Sequence, residues 1–210
     1  MEHFGTIMFT GAVEAEQRAQ GSYDTYARMA EREAPEGLGD DEIAFLTART
    51  SLYMATVSAT GWPYVQHRGG PAGFIKVLDP QTIGFADYRG NRQYVSSGHL
   101  RGNGRVCLFA MDYARQARLK LIGHAAMIAA DADPDLAKVL HTEGGGKVER
   151  TVRIRIEAFD WNCPQFITPR FDTNEIARLV GPEMERLEKR NAELEAELAA
   201  LHAATESEPK

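Results

Sequence analysis

The segment ERTVRIRIEAFDW, residues 149–161, sets Val152, Ile154, Ile156 and Ala158 on one side and Arg153, Arg155 and Glu157 on the other. A two-residue period of this kind belongs to a half-buried β-strand, because a helix would scatter the same apolar residues around its circumference. Five further stretches of the central chain have strand character: SLYMATVS, GFIKVLD, TIGFADY, RVCLFAMD and ARLKLIGHAAMIAA. Asp79-Pro80 separates the second and third of these as a hairpin turn, and ATGWP reads as a turn from its Gly and Pro. GNRQYVSSGHLRGN and DPDLAKVLH read as short helices between strands. Six strands this close together, with so few helices, predict a small antiparallel barrel.

Both flanks change to a helical period. On the N-terminal side, AVEAEQRAQ and SYDTYARMAERE are broken at Gly21-Ser22, where Ser22 can serve as a new N-cap. Asp40 or Asp41 can cap a short helix carrying Ile43, Ala44, Phe45 and Leu46. On the C-terminal side, Val180, Met184, Leu187, Asn191, Leu194, Leu198 and Leu201 follow each other by four and three residues. They form a heptad seam with Val180, Leu187, Leu194 and Leu201 at d, and Met184, Asn191 and Leu198 at a. Leu at d with a single Asn at a favours a parallel two-stranded coil. Arg190 at g can meet Glu195 at e of the partner, whereas Glu183 and Glu188 repel. The alternative is one amphipathic helix packed on its own domain, although so narrow a stripe suits a coil better. The expected organisation is therefore an N-terminal helical segment over 1–50 packed on a barrel over 51–174. A coiled-coil helix over 175–203 and a disordered tail over 204–210 follow.

Charge narrows the choice of partners. With 24 Lys and Arg against 30 Asp and Glu, no cationic excess is available to neutralise a phosphate backbone, so nonspecific nucleic-acid binding is not expected. A local basic pocket for a small phosphorylated ligand remains open. No apolar run approaches the roughly 20 residues that span a bilayer, and MEHFGTIMFTG does not read as a signal peptide. Two cysteines far apart, Cys107 and Cys163, read as free thiols, with the cytoplasm as the expected location.

Several chemistries lack their motifs. The six histidines form no His-x-x-x-His pair and neither cysteine belongs to a Cys-x-x-Cys, so no metal site is expected. There is no Gly-x-Ser-x-Gly elbow and no phosphate-binding Gly-Lys-Ser/Thr loop. Gly144-Gly145-Gly146 reads as a turn. What remains is a set of polar and cationic groups in the barrel zone. Gln66, His67 and Arg68 follow a strand and precede Gly69-Gly70, where absent side chains allow a ligand close to the backbone. Asn91, Arg92 and Gln93 follow a strand and open a helix, a setting in which backbone N–H groups and an Arg fork can hold phosphate. Arg118 and Lys120 share one face of a strand. Each cation alone is an ordinary surface charge; together they suggest an anion site.

The order and wording of these segments resemble the flavin-nucleotide-binding branch of the pyridoxamine 5'-phosphate oxidase family. The resemblance runs from about Phe4 to Asn174 through SLYMATVSATGWPYVQHRGGPAGFIKVLD, TIGFADYRGNRQYVSSGHL, ARLKLIGHA and EAFDWNCPQFITPRF. The strings QHRGG, GNRQY and WNCPQ make it specific. It implies a split β-barrel that is mainly β with flanking helices, homodimeric, with FMN in clefts between the subunits. By position, Arg68 resembles the Arg on the strand beside the flavin, and Asn91, Arg92 and Gln93 the segment holding the FMN phosphate. Gln66, His67 and Lys76 fall near the flavin edge. Trp161, Asn162 and Gln165 come from the partner subunit, with Trp161 either stacking near the ring or serving as a core aromatic that ends a strand. Arg118 and Lys120 are further candidates for the cleft.

The resemblance implies an FMN-dependent oxidoreductase that passes hydride between a small donor and acceptor, since the flavin needs no protein nucleophile. A flavin-binding carrier, sensor or assembly module without turnover is the alternative. One departure matters. Vitamin B6 oxidases of this kind end in an Arg-Leu-rich segment that binds the pyridoxal phosphate, whereas this chain has PRFDTNEI followed by heptads. Pyridoxamine phosphate is therefore not the expected substrate.

Overall fold

The computed structural model describes residues 1–144, 146–161 and 164–206. The chain begins with four helices, α1 (Phe4–Met8), α2 (Gly11–Ala19), α3 (Tyr23–Ala30) and α4 (Asp40–Thr47). Strands β1 (Ser51–Val57), β2 (Pro63–Gly69), β3 (Lys76–Asp79) and β4 (Thr82–Tyr88) follow. Helix α5 (Val95–Gly102) leads to β5 (Arg105–Asp112) and β6 (Ala117–Ala129), and α6 (Pro134–Leu140) to β7 (Val148–Trp161). Helix α7 (Thr173–Glu206) ends the described chain. Contacts divide the molecule into one compact unit, Met1–Ile167, and a second, Thr168–Lys210. Within the second, α7 is longer at both ends than the expected 175–203 segment, and 207–210 lie outside the described residues.

The seven strands form one antiparallel sheet in the order β2-β1-β5-β6-β7-β4-β3. Alternation dictates its inner face. Leu52 and Met54 of β1, Ile83 and Phe85 of β4, Leu108 of β5, Leu119 and Leu121 of β6, and Val152, Ile154 and Ile156 of β7 are all buried in one cluster. Each such side chain removed from water is worth roughly 1.5–3 kcal/mol, which makes this cluster the main force closing the sheet into a split barrel. Leu46 of α4, with Phe74 and Ile75 just ahead of β3, is buried in the same cluster.

Two long strands set the curvature. The β6–β7 ladder slips register between Ile122 and Gly123. A β-carbon on Gly123 would stand 2.1 Å from the Arg155 carbonyl oxygen, so only glycine admits the approach.

The strand pattern departs from expectation at β2. PYVQHRG was not among the six expected strands, but it pairs along its length with β1, from Ser51 opposite Gly69 to Val57 opposite Pro63. It lies at the sheet edge and buries no residue, so it lacks the apolar alternation by which a strand is recognised. Pro63 at its first position suits an edge, where a missing N–H leaves no ladder bond broken. Gln66, His67 and Arg68 thus lie on a strand rather than after one, as the resemblance implied for Arg68. The cap of α4 also differs. Gly39 occupies the N-cap, with Glu42 accepting from its N–H at 2.9 Å, while Asp40 and Asp41 sit in the first turn. Among the described residues no helix is long and apolar enough to cross a membrane.

Candidate functional site

A cavity of about 240 Å³ is lined by residues of β2 and of the end of β4. The β2 alternation sends Tyr64, Gln66 and Arg68 toward it, and β4 contributes Asp87 and Tyr88. The loop after β4 adds Asn91, Arg92 and Gln93, and α5 enters with Tyr94, Val95, Ser96 and Ser97. Met127 of β6 and Arg150 of β7 complete the wall.

Asp87 is the centre of its electrostatics. Asp87 and Arg150 are direct cross-strand partners on β4 and β7. Arg150 donates to Asp87 Oδ2 from Nε at 2.9 Å and from Nη2 at 2.7 Å, and Arg68 donates from Nη1 to Oδ1 at 2.6 Å. One buried carboxylate therefore orients two guanidiniums. Arg150 also touches Glu149 at 3.4 Å and lies over the Tyr94 ring at 4.5 Å. Burial opposes the charge on Arg150, but the hydrogen bonds it donates to Asp87 and the negative charge of Asp87 outweigh this, and the pKa lies above the ordinary Arg value. With Arg92, three guanidiniums stand against two carboxylates, Asp87 and the neighbouring Glu149, so the cavity keeps a positive excess.

The loop is held in an uncommon backbone form. Arg92 and Tyr94 have φ of 63° and 52°, the left-handed region that side-chain-bearing residues rarely adopt. Asn91 Oδ1 accepts from the Gln93 N–H at 3.2 Å, closing a local turn. Arg92 Nε donates to the Tyr94 hydroxyl at 3.3 Å, and that bond, followed by one from Arg150, holds the Tyr94 phenol below its ordinary pKa. Ser96 Oγ donates to Gln66 Oε1 at 2.8 Å, tying α5 to β2. Because α5 begins only at Val95, residues 91–93 are loop and not the first helical turn that was expected.

The residues singled out from the sequence fall into groups. Gln66, Arg68, Asn91, Arg92 and Gln93 come together around one cavity. His67 points to the other face of β2, edge-on to the Tyr53 ring at 5.7 Å. Lys76 starts β3 and does not line the cavity. Arg118 and Lys120 lie two apart on β6. Arg118 Nε is buried without a hydrogen-bond partner, and Lys120 pairs with Asp160 at 3.0 Å. Trp161 donates to Glu42 Oε1 at 2.5 Å and packs edge-on to Phe45 at 4.8 Å. Gln165 is exposed in a turn after β7, and Asn162 lies outside the described residues, as do Cys163 and Gly145. Cys107 is half-buried, and burial pushes its thiol pKa up.

Asp87, Arg150, Tyr94 and Ser96 are site residues that the sequence reading missed. The signal for two of them was present. Asp87 is in phase with Ile83 and Phe85, and Arg150 with Val152, Ile154 and Ile156, so each carries a charge at an inward position of its strand. A charge on an apolar phase requires a partner, and the β4–β7 register supplies it.

Fold and site together define a split barrel with an arginine-rich cavity lined in part by the edge strand β2. Residues 40–159 match the family model described as pyridoxamine 5'-phosphate oxidase, more than half of the chain, and the protein belongs to this family. Solved structures are similar in fold. HupZ from Group A Streptococcus aligns at 17% identity over 64% of this chain and 100% of that one, with a TM-score of 0.49. A protein related to general stress protein 26 from Clostridium acetobutylicum aligns at 14% over 65% and 94%, with a TM-score of 0.43. An FMN-binding protein from Syntrophomonas wolfei aligns at 8% over 70% and 97%, with a TM-score of 0.42. No curated protein matches the chain.

Proposed function

We propose that this protein binds FMN between two subunits and acts as an oxidoreductase on a small donor and acceptor other than pyridoxamine phosphate. The observation that carries the proposal is the Arg68–Asp87–Arg150 cluster beside the Asn91–Gln93 turn. Arg68 is fixed by Asp87 through Nη1, yet its Nε is buried without a partner. An unpaired donor on a buried guanidinium is costly, and a phosphate oxygen would satisfy it. The fit also holds in size. A cavity of about 240 Å³ falls below the range of roughly 300–1,000 Å³ that encloses a whole small ligand, as suits the polar end of a longer one.

Arg92, Arg68, Asn91 and Gln93 would hold the phosphate, with Gln66 fixed by Ser96 further along the cofactor. Trp161, Asn162 and Gln165 would come from the second subunit, and Arg118 and Lys120 are further candidates for the cleft. His67 and Lys76 do not line this cavity and have no part in holding the phosphate. When bound, the flavin supplies hydride acceptance and release. The chain's own part is to fix the cofactor and to place cations that favour the anionic reduced form. With Cys107 free, the protein suits a reducing cytoplasm.

A flavin-binding module without turnover is favoured by one observation. Both oxygens of the cavity's buried carboxylate, Asp87, are committed to two arginines rather than presented to a substrate. The absorbance spectrum of the purified protein tests the cofactor. A yellow protein that bleaches anaerobically on adding a reduced nicotinamide is the expected result. A yellow protein inert to every donor tried supports the module, and a colourless protein that binds no added FMN would falsify the site.

A further inference from the structure

We propose that α7 pairs with α7 of a second copy of this chain as a parallel, in-register two-stranded coil, with Asn191 facing Asn191. This is independent of what the barrel binds. Helix α7 is continuous over Thr173–Glu206 and is the one element among the described residues of its compact unit. Its apolar stripe stands in water. Val180 is 48% exposed, Met184 51%, Leu187 44%, Leu194 39% and Leu198 53%. A helix cannot hide such a stripe by itself, and the exposed ion pairs along α7 stabilise it weakly.

The pattern specifies what covers it. A seam of alternating four- and three-residue steps lies straight only against another helix with the same period. Over Val180–Leu201 the seam runs about 33 Å, three heptads. Asn191 interrupts it at an a position. Against a different apolar partner its amide would be buried unsatisfied, whereas an identical helix in parallel register brings a second Asn amide to meet it. Charges flanking the seam agree. Arg190 at g faces Glu195 at e of the partner. The opposing case, Glu183 against Glu188, is blunted within each helix, because Arg186 donates to Glu183 Oε2 at 2.8 Å and Oε1 at 2.7 Å.

The test uses the full chain with Cys107→Ser and Cys163→Ser, carrying Leu194→Cys at d or Lys189→Cys at the outward f position. Facing d positions lie within disulfide reach in a parallel coil, and f positions do not. Mild oxidation should link Leu194→Cys chains at least about tenfold more than Lys189→Cys chains, by the seam geometry. Equal linking at both positions, or none at residue 194 in a folded protein, overturns the proposal. So does a preferred link between Met184→Cys and Leu194→Cys chains after mixing and exchange, which would mean antiparallel pairing with a positions opposite d positions. Asn191→Leu should raise the mass measured by light scattering, since a polar a position selects two strands. An unchanged mass removes Asn191 as the residue that sets the pairing.

Discussion

Asp87 shows most plainly how one residue organises the cavity. It holds Arg68 and Arg150 from two different strands, and the side chains involved are 8%, 14% and 21% exposed. Removing the carboxylate leaves two guanidiniums facing each other, so Asp87→Ala should lower stability by about 3 kcal/mol, read from urea unfolding. Asp87→Asn, which keeps the shape, should lose less. Arg92 is different because it is solvent-facing and, in the proposed function, would serve the ligand rather than the fold. Arg92→Ala should weaken FMN binding at least about tenfold with little change in stability, since a charge-assisted pair is lost only in the complex. An unchanged affinity would take Arg92 out of the site. The same change should move the Tyr94 titration upward in ultraviolet absorbance, because the Arg92 hydrogen bond is the largest cause of its depression. Arg68, Asn91, Arg92 and Gln93 are legible in the sequence alone, being polar residues clustered between strand and turn. Asp87 and Arg150 are 63 residues apart and become a pair only when β4 lies beside β7.

At the scale of elements, the inward alternation of β1, β4, β5, β6 and β7 was readable because one face of each meets the core. Strand β2 was not readable, since an edge strand buries nothing and its pairing with β1 leaves no mark on its apolar pattern. The bulge between β6 and β7 is likewise tertiary. Gly123 looks like any strand glycine until the Arg155 carbonyl is seen against it. Gly123→Ala should cost at least about 2 kcal/mol in thermal or chemical unfolding, because backbone rather than a movable side chain must yield. Stability equal to the parent would mean that the two strands can separate there without loss.

At the scale of the molecule, the barrel unit and the helix unit make separate contributions. A chain cut near Gly181 should remain a barrel dimer of lower stability, as measured by light scattering and thermal unfolding. A monomer after the cut would assign dimerisation to the coil alone.

By itself the sequence determined the barrel class, the family resemblance, the polar Asn91–Gln93 loop and the heptad seam. All of these depend on residues close along the chain or on strict periods within one element. Tertiary structure alone decided the place of β2, the Asp87 bridge and the cavity wall, because each depends on which distant strands become neighbours. A local period can say that a side chain must be buried or paired, but the register between strands decides its partner.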